Sequence, residues 1–334
     1  MSILSFEEYR ALWDLVSRKP FLTGFPLHLD IELSSRCNLR CKMCFQQYIE
    51  AKRMDMPLDM FKHIVDEGAA EGLCAIKLQS RGESLLHPDL MEMLSYVKKK
   101  GILDVHITTN GLLLNDSLIK GLVENRLNLL ILSFDEGHAD ASPMSKEKYT
   151  QFIREAVEKL YMEKVKRKTR NPWIRIQTCI GNYTQENIRK TERINRGLFQ
   201  GADDVLINPV YISHEDQPHF MDYQDYILMP CTYLWQRLLI LADGSVTTCC
   251  RDYNYKYNRL GTIKDSSIKE LWHSSALNAL RSRHLSGRRN EFHLCAICDN
   301  YVVNKRTGQP GSECSSVFYE MNKNEANGCS NSSA

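Results

Sequence analysis

Cys37, Cys41 and Cys44 fall within eight residues, in the run CNLRCKMCF. Thiolates ligate soft metals, and a four-iron cubane normally takes four of them, one per iron. Three thiols this close, with no fourth beside them, can hold three corners and leave the last iron open to another molecule. A structural zinc loop is the competing reading, but such a loop closes with a fourth Cys or His nearby. Here the next cysteine is Cys74 and the next histidine is His87. A second set lies far along the chain. Cys231 opens CTYLWQRLLILADGSVTTCCRDY, and CAIC follows at Cys295 and Cys298. One cysteine before a hairpin, one after it and a distant C-x2-C make a four-thiolate site folded by its metal. On the residues alone, zinc and an iron–sulfur cluster are both open for this second site.

The elements that must position these thiols are legible from periodicity. Apolar-alternating strands are expected at 28–34, 74–80, 104–109, 128–135, 173–180 and 203–208, separated by amphipathic helices near 58–70, 89–99, 115–124, 147–163 and 184–196. Six strand–helix repeats imply a parallel sheet with right-handed crossovers. The first cysteine loop directly follows the first strand, LHLDIEL, the position at which an α/β barrel places its chemistry. One polar face recurs along the strands: His28, Asp30, Glu32 and Ser34; Lys77, Gln79 and Arg81; His106, Thr108 and Asn110; Arg175, Gln177 and Cys179. Strands covered by helices read as almost continuously apolar, so a repeated polar face implies a wet or ligand-filled interior. The expected fold class is α/β, a partial (β/α)6 TIM-type barrel with a small C-terminal cysteine-rich β-hairpin/helix domain. In that domain LLIL-ADG-SVTTCC is a hairpin with a DG turn, and SSIKELWHSSALNALRSRH is an amphipathic helix opened by a serine cap. The expected boundaries are an N-terminal helix and linker (1–24), the barrel (25–225), the auxiliary domain (226–318) and a disordered tail (319–334).

At 334 residues, 43% hydrophobic and 25% charged, the composition is that of a globular protein. A formal net charge of +2 gives no general attraction to nucleic acid or membrane. The N-terminus, MSILSFEEYRALW, lacks the apolar core of a signal peptide, and no apolar run reaches membrane-spanning length. Twelve cysteines without an export signal point to reduced thiols serving metal, hence to a cytoplasmic protein.

The C-x3-C-x2-C spacing after a first strand resembles the radical S-adenosylmethionine (SAM) enzymes. That resemblance implies a [4Fe–4S] cluster on Cys37, Cys41 and Cys44 whose open iron is chelated by SAM. Met43 stands where many members carry an aromatic near the adenine, and Phe45 takes over part of that role. LQSRGESLLHPDL resembles the family's GGEP-type loop, with Arg81, Gly82, Glu83 and Ser84 at the positions that hold the SAM ammonium. Asn110 lies in the TTNG turn, and Ser133 and Asp135 match the S-x-D position facing the SAM ribose or carboxylate. Gln177 and the segment Asn208 to Val210 are further candidates, for ribose and adenine. The 231–300 stretch resembles the SPASM/twitch extension, with its DGxVxxCC hairpin and LGxI…LW segment. This implies one auxiliary [4Fe–4S] cluster on Cys231, Cys249, Cys295 and Cys298, with Cys250 as a spare or alternative ligand. Cys314 and Cys329 lack hairpin partners, and Cys74 reads as a small buried apolar residue.

The chemistry implied is hydrogen-atom abstraction from a C–H bond. A single auxiliary cluster resembles dehydrogenases and epimerases of aminocyclitols and sugars, so the expected substrate is small and hydroxylated, oxidised to a ketone or epimerised. A thiol returning hydrogen could be Cys179 or Cys250. His214, Glu215 and Asp216 are weak candidates for a base. Peptide-modifying maturases are the alternative, disfavoured because no peptide-recognition domain fits in 24 residues; a non-enzymatic iron–sulfur carrier is the other. Two basic runs, 164–170 and 281–289, read as solvated surface, or else as a dock for a nucleotide-linked substrate or an acidic flavodoxin. A flavodoxin or ferredoxin-type reductant is the implied partner.

Overall fold

Alternating strand and helix periodicity sets the order of elements in the computed structural model, which describes residues 4–209, 226–296, 298 and 302–304. α1 (Phe6–Arg18) is opened by a capping box in which Ser5 and Glu8 exchange hydrogen bonds. β1 (His28–Ile31) leads through the cysteine loop to α2 (Leu58–Glu71). The pattern repeats with β2 (Ala75–Lys77) and α3 (Leu90–Lys99), then β3 (Asp104–Thr109) and α4 (Asp116–Glu124). β4 (Leu129–Ser133) is followed by α5 (Glu136–Ala141) and α6 (Lys146–Lys166), β5 (Trp173–Ile180) by α7 (Gln185–Leu198), and β6 (Asp204–Pro209) ends the series. Asn115, Ser145 and Thr184 cap their helices by accepting a backbone N–H three residues on.

β1 to β6 pair in parallel and in sequence order. Their outer faces carry Leu29, Ile31, Ile76, Ile107, Leu130, Leu132, Ile174 and Ile176, all fully buried in one core. Each such side chain contributes about 1.5–3 kcal/mol by leaving water. The remaining elements are β7 (Tyr226–Leu228), α8 (Tyr233–Gln236), β8 (Arg237–Ile240), β9 (Ser245–Thr247), β10 (Arg259–Thr262), α9 (Ile268–Trp272), α10 (Ser275–Leu285), α11 (His293–Ala296) and β11 (Val302–Asn304). β8 and β9 form the expected hairpin, with Gly244 at φ +88° in the turn and Asp243 accepting from the Ser245 amide.

Two features differ from the sequence expectation. The hairpin does not stand apart: β8 pairs in parallel with β1, giving one sheet in the order β10-β9-β8-β1-β2-β3-β4-β5-β6. Among the described residues no pairing joins its two edges, so the barrel is open. The stretch after Ser266 is two helices rather than one. Ser274 supplies a second N-cap, accepting from the Leu277 amide, while Trp272 Nε1 and His273 Nε2 are drawn to the carbonyls of Thr23 and Gly24.

Candidate active site and metal centres

The inner ends of the strands enclose a cavity of about 500 Å³. Its lining joins Cys37, Cys41 and Cys44 to Lys77, Gln79, Thr108, Ser133, Gln177 and Cys179 from the strands, and to Cys250 and Arg251 beyond the hairpin. The expected polar interior therefore exists on β2 to β5. β1 is the exception, because its inner face is already satisfied. Asp30 pairs with Arg237 of β8 at 2.9 Å and with His28 at 3.2 Å. Glu32 pairs with Arg81, and Ser34 donates to Asp55.

Residues present at the cysteine loop fit a cluster. Burial pushes the Cys41 thiol up to about 12, with Cys44 adding to the shift, and burial also raises Cys37 and Cys44. Neutral thiols release their protons on metal binding. The Leu39 amide donates to Cys37 Sγ at 3.4 Å, and Asn110 Nδ2 lies 4.0 Å from the same sulfur. Thr108 Oγ1 is buried at the cavity without a protein partner, an orphan that a ligand would satisfy. Among the described residues no three His, Cys, Asp or Glu converge on one point as a single metal ion requires.

Sequence-expected contacts divide here. A Cβ on Gly82 would run into the carbonyl oxygens of Ser34 and Arg36, so only glycine lets this loop lie on the cysteine loop. Glu83 is buried and accepts from the amides of Asn110 (2.8 Å) and Leu85 (3.1 Å); burial raises its pKa. It faces the cavity as expected. Arg81 does not offer its charge there. Nε and Nη2 each reach Glu32 at 2.6 Å, Nη1 donates to the Tyr253 carbonyl at 2.9 Å, and Tyr255 lies under the guanidinium at 4.8 Å. Ser84 turns its hydroxyl to the Leu78 carbonyl. Asp135 caps α5, accepting from the His138 amide, while His138 Nδ1 sits 2.6 Å away without hydrogen-bond alignment. Ser133, Gln177 and Cys179 line the cavity. Asn208 pairs beside Cys179 at the sheet edge but is outside that lining. Val210, His214, Glu215, Asp216, Cys314, Cys329 and the 319–334 tail lie outside the described residues.

Phe45 lines the cavity, stacked on Tyr253 at 5.1 Å between ring centres and 11° between planes. Tyr253 belongs to a loop, 250–258, that the sequence reading missed as a functional element. Fully buried Asp252 organises it, accepting from the amides of Lys256 (2.8 Å) and Asn258 (2.7 Å). The loop then grips the cysteine segment: Asn254 exchanges hydrogen bonds with Glu50 N and Tyr48 O, and Lys256 pairs with Glu50 at 2.8 Å. An Asp followed by three aromatics was the available signal.

The second set of thiols also lies in one neighbourhood. Burial raises Cys231, and the neighbouring Cys298 and Cys295 add to the shift. Cys295 is pushed up to about 12 by burial and Cys298. A hydrogen bond to Cys250 and burial raise Cys249, and Cys298 and Cys231 add to the shift. Cys250 instead opens onto the main cavity, near Arg237 and Lys77. Thr248 Oγ1 and His284 Nε2 are buried beside these thiols without partners; four thiols with unsatisfied polar neighbours fit a closed cluster. Parts of both basic runs are tied into the fold. Lys164 pairs with Asp203, and Arg167 with Glu163 and Glu124. Arg281 is buried on Trp272, and buried Arg289 donates to the carbonyls of Met229 and Cys298. Lys166, Lys168, Arg170 and Arg288 stay exposed, as expected of solvated surface.

Comparison with known proteins agrees with this geometry. The radical SAM superfamily profile matches residues 31–190, and the SPASM iron–sulfur cluster-binding domain profile matches residues 231–299. The tungsten-containing aldehyde ferredoxin oxidoreductase cofactor-modifying protein of Pyrococcus furiosus is 32% identical over 302 residues, covering 74% of this chain and 81% of that protein. Two solved structures share the fold. BtrN in complex with AdoMet and 2-DOIA has a TM-score of 0.56 at 15% identity, over 87% of this chain and 98% of BtrN. The anSMEcpe structure with bound AdoMet and Cp18Cys peptide has a TM-score of 0.58 at 19% identity, over 91% and 99%. No helix among the described residues is long and apolar enough to cross a membrane. The chain belongs to the radical SAM superfamily and carries a SPASM domain in its C-terminal region, so its cofactors are a [4Fe–4S] cluster, SAM and auxiliary iron–sulfur.

Proposed function

We propose that the enzyme removes a hydrogen atom from a C–H bond of a small hydroxylated substrate, of sugar or aminocyclitol type, and converts the carbinol to a ketone or to its epimer. One observation carries this reading: a single cavity of about 500 Å³ brings together the three cluster thiols and two further thiols, Cys179 and Cys250. The same cavity must also seat the cluster and SAM, so the space left suits a small group. When bound, SAM and the two clusters supply the 5′-deoxyadenosyl radical and a one-electron acceptor. Cys37, Cys41 and Cys44 hold the first cluster, and Cys231, Cys249, Cys295 and Cys298 the one auxiliary cluster. Gly82, Glu83, Asn110, Ser133, Asp135 and Gln177 hold SAM, with Phe45 against the adenine. Oxidation removes the C–H hydrogen, one further electron and the hydroxyl proton. Epimerisation returns one hydrogen atom from Cys179 or Cys250 to the opposite face, and the thiyl radical left behind would be restored by one electron from the external reductant and one solvent proton. The working parts are the barrel, 25–225, and the auxiliary unit, 226–318, and a flavodoxin or ferredoxin in a reducing cytoplasm supplies the electron.

The identity to a cofactor-modifying protein favours a second reading, in which the small substrate is an organic cofactor or its precursor. Anaerobic reconstitution tests the common core. Reduced enzyme should release 5′-deoxyadenosine from SAM, and a carrier protein would release none. Product formed in D2O separates the two outcomes: a thiol donor leaves solvent deuterium on the epimerised carbon, and net oxidation does not. If deuterium appears, Cys179→Ala or Cys250→Ala identifies the donor.

A further inference from the structure

We infer that the substrate carries a compact anionic group, a phosphate ester or a carboxylate, which seats against Lys77 on the cavity wall. This rests on the small-substrate reading above and deepens it. Lys77 ends β2, in register with Asp30 of β1 and His106 of β3, so its side chain enters the barrel. It is half-buried and lines the cavity. Its lateral neighbours are committed elsewhere: Asp30 to Arg237 and His28, and His106 Nε2 to Asp104 at 2.7 Å. Among the described residues no carboxylate comes within ion-pair distance of the Lys77 ammonium.

The charges around it point the same way. The two acids lining the cavity, Glu83 and Asp135, are hydrogen-bonded by the amides of Asn110, Leu85 and His138, in the loops that end β3, β2 and β4. Arg81 is neutralised by Glu32. Lys77 stands on the same cavity wall without such a partner among the described residues. Asp30 feels the Lys77 charge but is already paired with Arg237, so a ligand anion would give the half-buried ammonium a partner of its own. Cys250 lies near Lys77, so an anion held there would also set the substrate's reacting carbon beside a candidate hydrogen donor.

Calorimetric titration of cluster-loaded, SAM-bound enzyme with glucose, glucose 6-phosphate, glucuronate and inorganic phosphate tests the inference. At least one anionic probe should bind tenfold or more tightly than glucose, and glucose 6-phosphate against glucuronate reports which anion is preferred. Lys77→Gln should weaken that binding by about tenfold to a hundredfold, as expected for a hydrogen bond to a charged group. Lys77→Arg should retain it. Equal binding of glucose and the anions, no binding of any anion, or an unchanged preference in Lys77→Gln would overturn the inference. If Lys77→Gln does not fold, wild-type affinity decides: it must fall with added salt for the anions only. Release of 5′-deoxyadenosine is measured alongside. Release without anion preference refutes only the role of Lys77, whereas absence of release refutes the proposed activity whatever the binding shows.

Discussion

Replacing Arg81 by methionine should unfold part of the protein before it affects SAM. The guanidinium makes two charge-assisted bonds of 2.6 Å to Glu32, a third of 2.9 Å to the Tyr253 carbonyl, and lies over Tyr255. Both charged side chains are almost wholly out of water, at 3% and 0% exposure. Removing one partner of such a pair strands the other and costs about 3–5 kcal/mol. Glu32 would keep only the backbone amides of Arg81 (3.1 Å) and Ala242 (3.2 Å). The lost bond to Tyr253 adds about 1 kcal/mol. Arg81→Met should thus lower the unfolding free energy by roughly 4–6 kcal/mol. Arg81→Lys should recover only part, because an ammonium cannot make the two-pronged contact. Glu32→Gln combined with Arg81→Met should cost less than the sum of the single changes, with a coupling of about 1–3 kcal/mol. Urea titration of the anaerobically prepared, cluster-loaded variants measures these values. The reasoning fails if Arg81→Met weakens SAM binding while unfolding stays within about 0.5 kcal/mol of wild type, since that is the behaviour of a ligand-binding arginine.

Further outcomes follow from the same contacts. Gly82→Ala should abolish 5′-deoxyadenosine release, because the added methyl meets backbone carbonyls of Ser34 and Arg36 that cannot withdraw; normal release would refute the close packing of these loops. Cys249→Ser should lower the iron content from about eight to about four per chain, while Cys250→Ser should keep all of it; the opposite result would exchange their roles. Burial raises the Cys74 thiol to about 11. A thiol with a raised folded-state pKa contributes stability that is full below about 9 and is lost as pH rises toward 11. Cys74→Val should remove that part of the alkaline slope in thermal midpoint, and an unchanged slope would mean that another group causes it.

Much of this protein is written locally. The six barrel strands and their five main helices lie where periodicity places them, because alternation of apolar residues and N-caps such as Asn115 and Thr184 act within one element. The three-cysteine loop is equally local, since Cys37 to Cys44 need only one short segment to share a cavity lip. What the chain order conceals is which distant groups meet. Arg81 matched the SAM loop by position, yet the carboxylate that claims it stands 49 residues away and the carbonyl 172 residues away. The resemblance favours Cys249 as the ligand and keeps Cys250 as the alternative, and it is the fold that sets Cys249 toward Cys298 and Cys231 and Cys250 at the main cavity. Short-range patterns decide the elements because backbone hydrogen bonds and caps are satisfied within a few residues. Burial of charge is decided across the whole fold, because a partner must be brought from elsewhere before an ion can leave water.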